Sequence, residues 1–183
     1  KIELSEFSAQ CAEFNLGKDV WLVGGAVRRM VAGVPQESDW DLAFYNAEAM
    51  ERVRDLLVGD GYASHASTDF HVEMRASVDG KVIRVQLLKL YADSPEGVLD
   101  KFDFTICQFA YDGQDLICSP SALLDLGRRR LAVHRVTYAA STVRRLLKYG
   151  RQGFTSCDGA IGSILQAVAS DPSIIHSDIT YID

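Results

Sequence analysis

Two runs of alternating apolar and polar residues, 70–78 and 81–90, are separated only by Asp79 and Gly80. No other stretch constrains the fold as tightly. Asp-Gly between alternating segments predicts a hairpin with a two-residue turn, and a loop of that length fixes the strand register. Val78 then faces Lys81, Arg75 faces Arg84, and Glu73 faces Gln86. Val72, Met74, Ala76 and Val78 share the core face with Ile83, Val85 and Leu87, while Glu73, Arg75, Arg84 and Gln86 line the polar face. Two arginines directly opposite each other repel, so either Glu73 or a bound anion must relieve them.

Around this hairpin the chain alternates element types. Leu4, Phe7, Cys11 and Phe14 recur at helical spacing until Gly17. Val20–Val23 reads as a buried strand entering the Gly24-Gly25 turn, followed by a helix carrying Val27, Met30 and Val31 that stops at Gly33 and Pro35. A strand is expected at Asp39–Phe44 and a helix from an Asn46 cap to about Val58. Further along come a strand at Thr105–Tyr111, a turn at Asp112–Asp115, a short run at Leu116–Cys118, a helix at Ser119–Leu126 and a short strand at Leu131–His134. A basic helix is expected from Ser141 to near Gly153, then a weak helical stretch at Ile161–Ala169. Mixed strands and helices followed by a helical end give an α+β body, residues 1–138, with a helical extension and tail, residues 139–183.

Composition narrows the class. With 183 residues, 48% hydrophobic and 24% charged, the chain is long enough for one ordinary domain and an appendage. Disordered, collagen-like and disulfide-scaffold classes are excluded. No apolar run approaches the roughly 18–20 residues that cross a bilayer, so no membrane partner is expected. Four scattered cysteines without a C-x-x-C pair argue against structural zinc and fit a reducing, cytoplasmic setting with buried thiols. The sequence starts at Lys1 rather than Met, which leaves a removed preceding segment open.

Charge is unevenly placed. Residues 1–127 hold eleven Lys/Arg against twenty-one Asp/Glu, whereas residues 128–151 hold eight basic residues and no acid. An acidic body with a basic stripe fits a local anion site such as a triphosphate or short nucleic acid, and equally a solvated helical face. A pI near 5.2 argues against a whole surface built for duplex nucleic acid.

Two short motifs carry chemistry. Gly24-Gly25 at a strand-to-helix turn lets backbone approach a ligand, and the helix start offers unpaired N–H groups to phosphate. Asp39 and Asp41, two apart on a strand, face the same way while Trp40 faces the other. Paired carboxylates favour a bound cation, and Mg²⁺ carried by a nucleotide is the usual one. The spacing of a Rossmann dinucleotide site and that of a Walker A loop are both absent.

Together, Leu22-Val23-Gly24-Gly25-Ala26-Val27-Arg28 and Ser38-Asp39-Trp40-Asp41-Leu42 resemble the nucleotidyltransferase superfamily related to DNA polymerase β. They are most similar to the head of bacterial-type poly(A) polymerases and tRNA CCA-adding enzymes. Asp103-Phe104-Thr105-Ile106 resembles the core of that family's next motif, and Arg145-Leu146-Leu147-Lys148 with Arg151 resembles its basic neck helix. The resemblance spans roughly residues 20–154. It implies a head with a mixed sheet flanked by helices, a short helical neck, and Mg²⁺-dependent transfer of a nucleoside monophosphate from a nucleoside triphosphate to an acceptor hydroxyl, with RNA or tRNA among the acceptors. It also implies that Asp39 and Asp41 hold the metal, that Gly24, Gly25 and Arg28 bind the phosphates, and that Asp103, Arg145, Lys148 and Arg151 border the nucleotide.

The chain departs from that pattern in places. Arg29 stands where the family has an acid, and Lys101-Phe102 where it has two arginines. The strand Val82–Leu90 contains no acid, so the family's third carboxylate is missing from it. Glu73, across from Gln86, would supply it from the neighbouring strand, or would only neutralise Arg75 and Arg84. No base-templating motif is recognisable after Phe154. A nucleotide-binding or interaction module without turnover is the competing reading, and a fragment of a longer RNA-modifying enzyme a third.

Overall fold

The computed structural model describes residues 4–175. Its elements run α1 (Leu4–Gln10), β1 (Val20–Val23), α2 (Gly25–Ala32), β2 (Trp40–Phe44), α3 (Ala47–Gly59), β3 (Ala63–Ser67), β4 (His71–Val78), β5 (Lys81–Tyr91), α4 (Pro95–Leu99), β6 (Phe109–Tyr111), β7 (Leu116–Cys118), α5 (Pro120–Arg128), β8 (Arg130–Leu131), α6 (Ala139–Arg151), β9 (Thr155–Ser156) and α7 (Asp158–Ser170). The chain clusters into two compact units. One comprises the residues up to Asp100 with Cys107–Ser119; the other comprises Lys101–Ile106 with the residues from Pro120 onward. Segment 120–138, read from sequence as part of the head, packs within the second unit.

The first unit is built on a seven-stranded sheet of order β3-β4-β5-β2-β1-β6-β7. β2 pairs parallel with β5 and the other neighbours pair antiparallel, so the sheet is mixed. The β4–β5 hairpin has the expected register, with Arg75 opposite Arg84 and Glu73 opposite Gln86. Asp79 and Gly80 both take positive φ, 50° and 76°, as a type I′ turn requires.

One sheet face is apolar. Leu22, Leu42, Phe44, Val72, Met74, Val85 and Leu87 are buried, along with Met50, Val53 and Leu57 of α3, which packs on β2 and β5. Trp40, expected only to face away from Asp39 and Asp41, turns to this side, its ring 6.0 Å from Phe7 and 5.4 Å from Phe14. The single opening helix read from sequence is in fact α1 plus a 3-10 turn at Ala12–Phe14, and Asn15 ends it in a left-handed conformation. Asn46 caps α3 by accepting from the Ala49 N–H at 2.9 Å.

Two expected strands are shorter than read. Thr105–Tyr111 begins as a 3-10 turn at Thr105–Cys107 and is strand only from Phe109. Hydrogen bonds explain this: the Thr105 N–H donates to Ala132 O and its hydroxyl to the buried Asp125 carboxylate. Leu131–His134 reduces to β8 and one bridge between Val133 and Phe104. The edge strand β3 was not expected, because Ala-Ser-His-Ala-Ser lacks the β-branched and aromatic residues that announce strands.

In the second unit, Phe104 packs edge-on against Tyr149 at 5.8 Å, and Asp103 accepts backbone N–H groups from His134 and Arg135. The Asp125 carboxylate, fully buried, is gripped by both Nε and a terminal nitrogen of Arg130. Arg129, in a left-handed conformation, donates to the carbonyls of Gln152 and Gly153, stacks over Phe154 at 5.5 Å, and accepts the Thr155 N–H. It fastens the end of α6 and is not an idle member of the basic stripe.

Two outcomes follow. Arg129→Ala should cost about 1–2 kcal/mol, since charge-assisted hydrogen bonds and ring stacking are lost at an exposed site, and urea unfolding should register it. Buried Cys11 and Cys107 contrast with exposed Cys118 and Cys157, so only half of the expectation of buried thiols holds. Burial, helped by Glu13, pushes the Cys11 thiol up to about 12. A thiol reagent should modify Cys118 and Cys157 in the native protein and all four in denaturant; rapid modification of Cys11 in the native state would contradict this packing.

Candidate functional site

β1 delivers the chain into a turn that only glycine fits. Gly24 has φ 73° and ψ −130°, and a Cβ there would lie 3.5 Å from Asp41 Oδ2. A Cβ on Gly25 would come within 3.0 Å of Ser38 Oγ. Two backbone bonds hold this approach: the Gly24 N–H to Phe109 O at 2.8 Å and the Arg28 N–H to Gly24 O at 3.0 Å. Arg28 itself is buried on α2.

The loop from Gly33 to Ser38 is tied back onto α2. Arg29 donates to Pro35 O and pairs with Glu37 at 2.6 Å, Gln36 donates to Ala26 O, and Gln36 Oε1 accepts the Ser38 N–H. Arg29 therefore has a use of its own where the resemblance expects an acid: it sets the path of the chain into Asp39. Sequence reading missed this role and that of Gln36, since loop hydrogen bonds leave no periodic signal.

Asp41 pairs in register with Val23 on one side and Gln86 on the other, and Gln86 with Glu73 beyond. Paired residues share a face, so Asp41, Gln86 and Glu73 form a row across three strands, with Asp39 on that face one turn of the pleat away. The Gln86 amide donates to Asp39 Oδ2 over a long 3.4 Å. Glu73 lies two strand spacings from Asp41, ~10 Å between backbones, and its carboxylate is engaged by Arg75 Nε. The structure thus brings Asp39, Asp41 and the Gly24-Gly25 turn together and leaves Glu73 apart, paired with arginine. Nearby, burial pushes the His71 imidazole down, Lys89 adding to this and Glu73 opposing it.

The donor set selects the kind of cation. Among the described residues no group of three or more His, Cys, Asp or Glu gathers to hold a metal ion. Two carboxylates with an amide neighbour do not make a free-standing metal centre. They do match Mg²⁺ that arrives with phosphate oxygens and water as its other ligands.

In the second unit Arg145 pairs with Asp103 at 2.6 Å, so two residues expected beside the nucleotide engage each other. The Asp103 side chain is 8% exposed and that of Arg145 43%. Lys148 and Arg151 are exposed on α6. Of the eight basic residues in the stripe, Arg129, Arg130 and Arg145 are bound to the protein's own acceptors.

Comparison with known proteins adds the following. Residues 1–129 match the model of a family described as Gad2, Gabija anti-defense 2 family protein. No curated protein matches the sequence. Among solved structures, a tRNA-processing enzyme in an apo form is similar at TM-score 0.61 and 22% identity, over 93% of this chain and 48% of its own. The Thermotoga maritima CCA-adding enzyme complexed with tRNA is similar at TM-score 0.64 and 18% identity, over 92% and 43%. The Bacillus stearothermophilus CCA-adding enzyme in complex with CTP is similar at TM-score 0.57 and 23% identity, over 82% and 41%. The chain spans a little under half the length of these structures, and at such identities the likeness establishes the fold alone, the one these tRNA-processing and CCA-adding structures share over the matched part.

Arg145→Ala should leave the Asp103 carboxylate buried without its guanidinium and cost about 1–3 kcal/mol, the half-exposed arginine keeping it below a fully buried pair. Lys148→Ala should be near neutral. Equal unfolding midpoints for the two variants would mean that the ion pair carries no structural weight.

Proposed function

The chain belongs to the Gabija anti-defense 2 family, and on that premise we propose that it is a Mg²⁺-dependent nucleotidyltransferase whose acceptor hydroxyl belongs to a component of the defence system the family's name points to. The observation that carries this reading is the carboxylate pair Asp39 and Asp41 beside the Gly24-Gly25 turn, where a Cβ at Gly24 would lie 3.5 Å from Asp41 Oδ2. A turn that close to a carboxylate pair suits a polyphosphate carrying its own cation.

In the proposed reaction the acceptor oxygen bonds to the α-phosphorus of a nucleoside triphosphate, the bond to the bridging oxygen breaks, pyrophosphate leaves, and the hydroxyl proton passes to water. Asp39 and Asp41 would hold Mg²⁺, which supplies Lewis-acid neutralisation of the phosphate charge there. Backbone N–H groups at the start of α2 would receive the outer phosphates, with buried Arg28 as a fixed positive charge behind them. Gln86 orients the Asp39 carboxylate through its amide. Glu73, held by Arg75, neutralises arginine charge and takes no part in metal binding. CTP-bound and tRNA-bound relatives of the same fold support a nucleotide donor and an RNA acceptor as the first to try.

A second reading, nucleotide binding without turnover, draws on one observation: β5 offers Arg84 and Gln86 to the row beside Asp41, and no carboxylate. The same experiment separates the two. With α-labelled nucleoside triphosphates, Mg²⁺ and candidate acceptors, the wild type should transfer label. Asp41→Asn should lose at least 100-fold of that activity with its melting temperature held within a few degrees, because removing one of two crowded anions costs no core contact. Full activity in Asp41→Asn would overturn the carboxylate assignment; triphosphate binding with no transfer in the wild type would favour the second reading.

A further inference from the structure

The hairpin places two arginines face to face, a choice that costs stability. Arg75 and Arg84 are direct cross-strand partners, and like charges so placed repel. Glu73 neutralises only one: it pairs with Arg75, its side chain 15% exposed. Arg84 is exposed, and among the described residues no ion pair or hydrogen bond engages it. A positive charge thus remains on the same sheet face as the carboxylate pair.

Its position is specific. Arg84 lies two residues before Gln86 on β5, and Gln86 is the register partner of Asp41. One strand spacing across and one pleat along separate Arg84 from Asp41, ~8 Å between backbones, within the span of an extended arginine side chain. The strand order β4-β5-β2-β1 sets this pair on one flank of Asp39 and Asp41, and the Gly24-Gly25 turn, which follows β1, on the other. The carboxylates therefore stand between two features suited to anions.

We propose that Arg75 and Arg84 form a phosphate subsite for the acceptor, so that the hydroxyl attacking the donor belongs to a molecule bearing a phosphate ester: the end of a nucleic-acid strand or a free nucleotide. The inference rests on the nucleotidyl-transfer reading above. The donor triphosphate is assigned to the glycine turn on the β1 flank, which leaves the β5 flank to the second substrate. Guanidinium groups suit the task because their planar donors match phosphate oxygens in pairs. An anion between them also removes the repulsion that the unliganded hairpin carries.

The test measures binding of two probes, a fluorescein-labelled five-residue oligoadenylate with a free 3′ hydroxyl and a fluorescent ATP analogue, to the wild type and to Arg84→Gln. The substitution should weaken the oligoadenylate at least tenfold and lower the slope of its salt dependence by about one. The ATP analogue should stay within twofold, and the melting temperature should hold or rise as repulsion is relieved. Displacement of the oligoadenylate by AMP at similar concentration would identify a free nucleotide as the source of the phosphate; resistance to AMP would identify a strand end. Unchanged oligoadenylate binding, equal weakening of both probes, or a wild type that binds no oligoadenylate would each overturn the subsite. If both probes bind as expected and no label is transferred, the catalytic reading fails while the subsite stands.

Discussion

The parallel pairing of β2 with β5 is the contact on which the site depends. It sets Asp41 beside Gln86 and, through the hairpin, in line with Glu73. Had β5 slipped by one residue against β2, its polar face would have turned into the core and Val85 and Leu87 out of it. The apolar face therefore fixes the polar one: burying Val85 and Leu87 against α3 leaves Arg84 and Gln86 no other side. Core packing here is also what selects which side chains surround the carboxylates.

Legibility in the sequence follows the range of the interaction. The hairpin register was readable because Asp79-Gly80 closes it locally, and Trp40 could be set opposite Asp39 and Asp41 from strand alternation alone. The pairing of Asp41 with Gln86 was not readable, because the whole of α3, β3 and β4 intervenes and parallel register leaves no turn signal. For the same reason the position of Glu73 relative to Asp39 and Asp41 was open in sequence and closed in structure. β3 was invisible because an edge strand paired along one side needs little hydrophobic patterning.

The basic stripe makes a related point about charge. Eight basic residues without an acid read equally as an anion site or a solvated face, yet Asp103 and Asp125, distant in sequence, take Arg145 and Arg130, while backbone carbonyls take Arg129. Composition counts charges but not the acceptors that fold onto them. What remains exposed on α6, Lys148 and Arg151, is a smaller field than the sequence advertised.

Neither compact unit is a continuous stretch of chain. Lys101–Ile106 belongs with residues that come after Pro120, while Cys107–Ser119 belongs with those before Asp100. In those six residues Asp103 meets Arg145, Phe104 meets Tyr149 and Thr105 meets Asp125. During synthesis the segment emerges well before any of these partners, so the second unit closes its longest loops only once α6 is available, and pays the entropy of each closure late. A cut at either crossing severs an element from the body it completes, so no single cut in the chain separates one unit from the other.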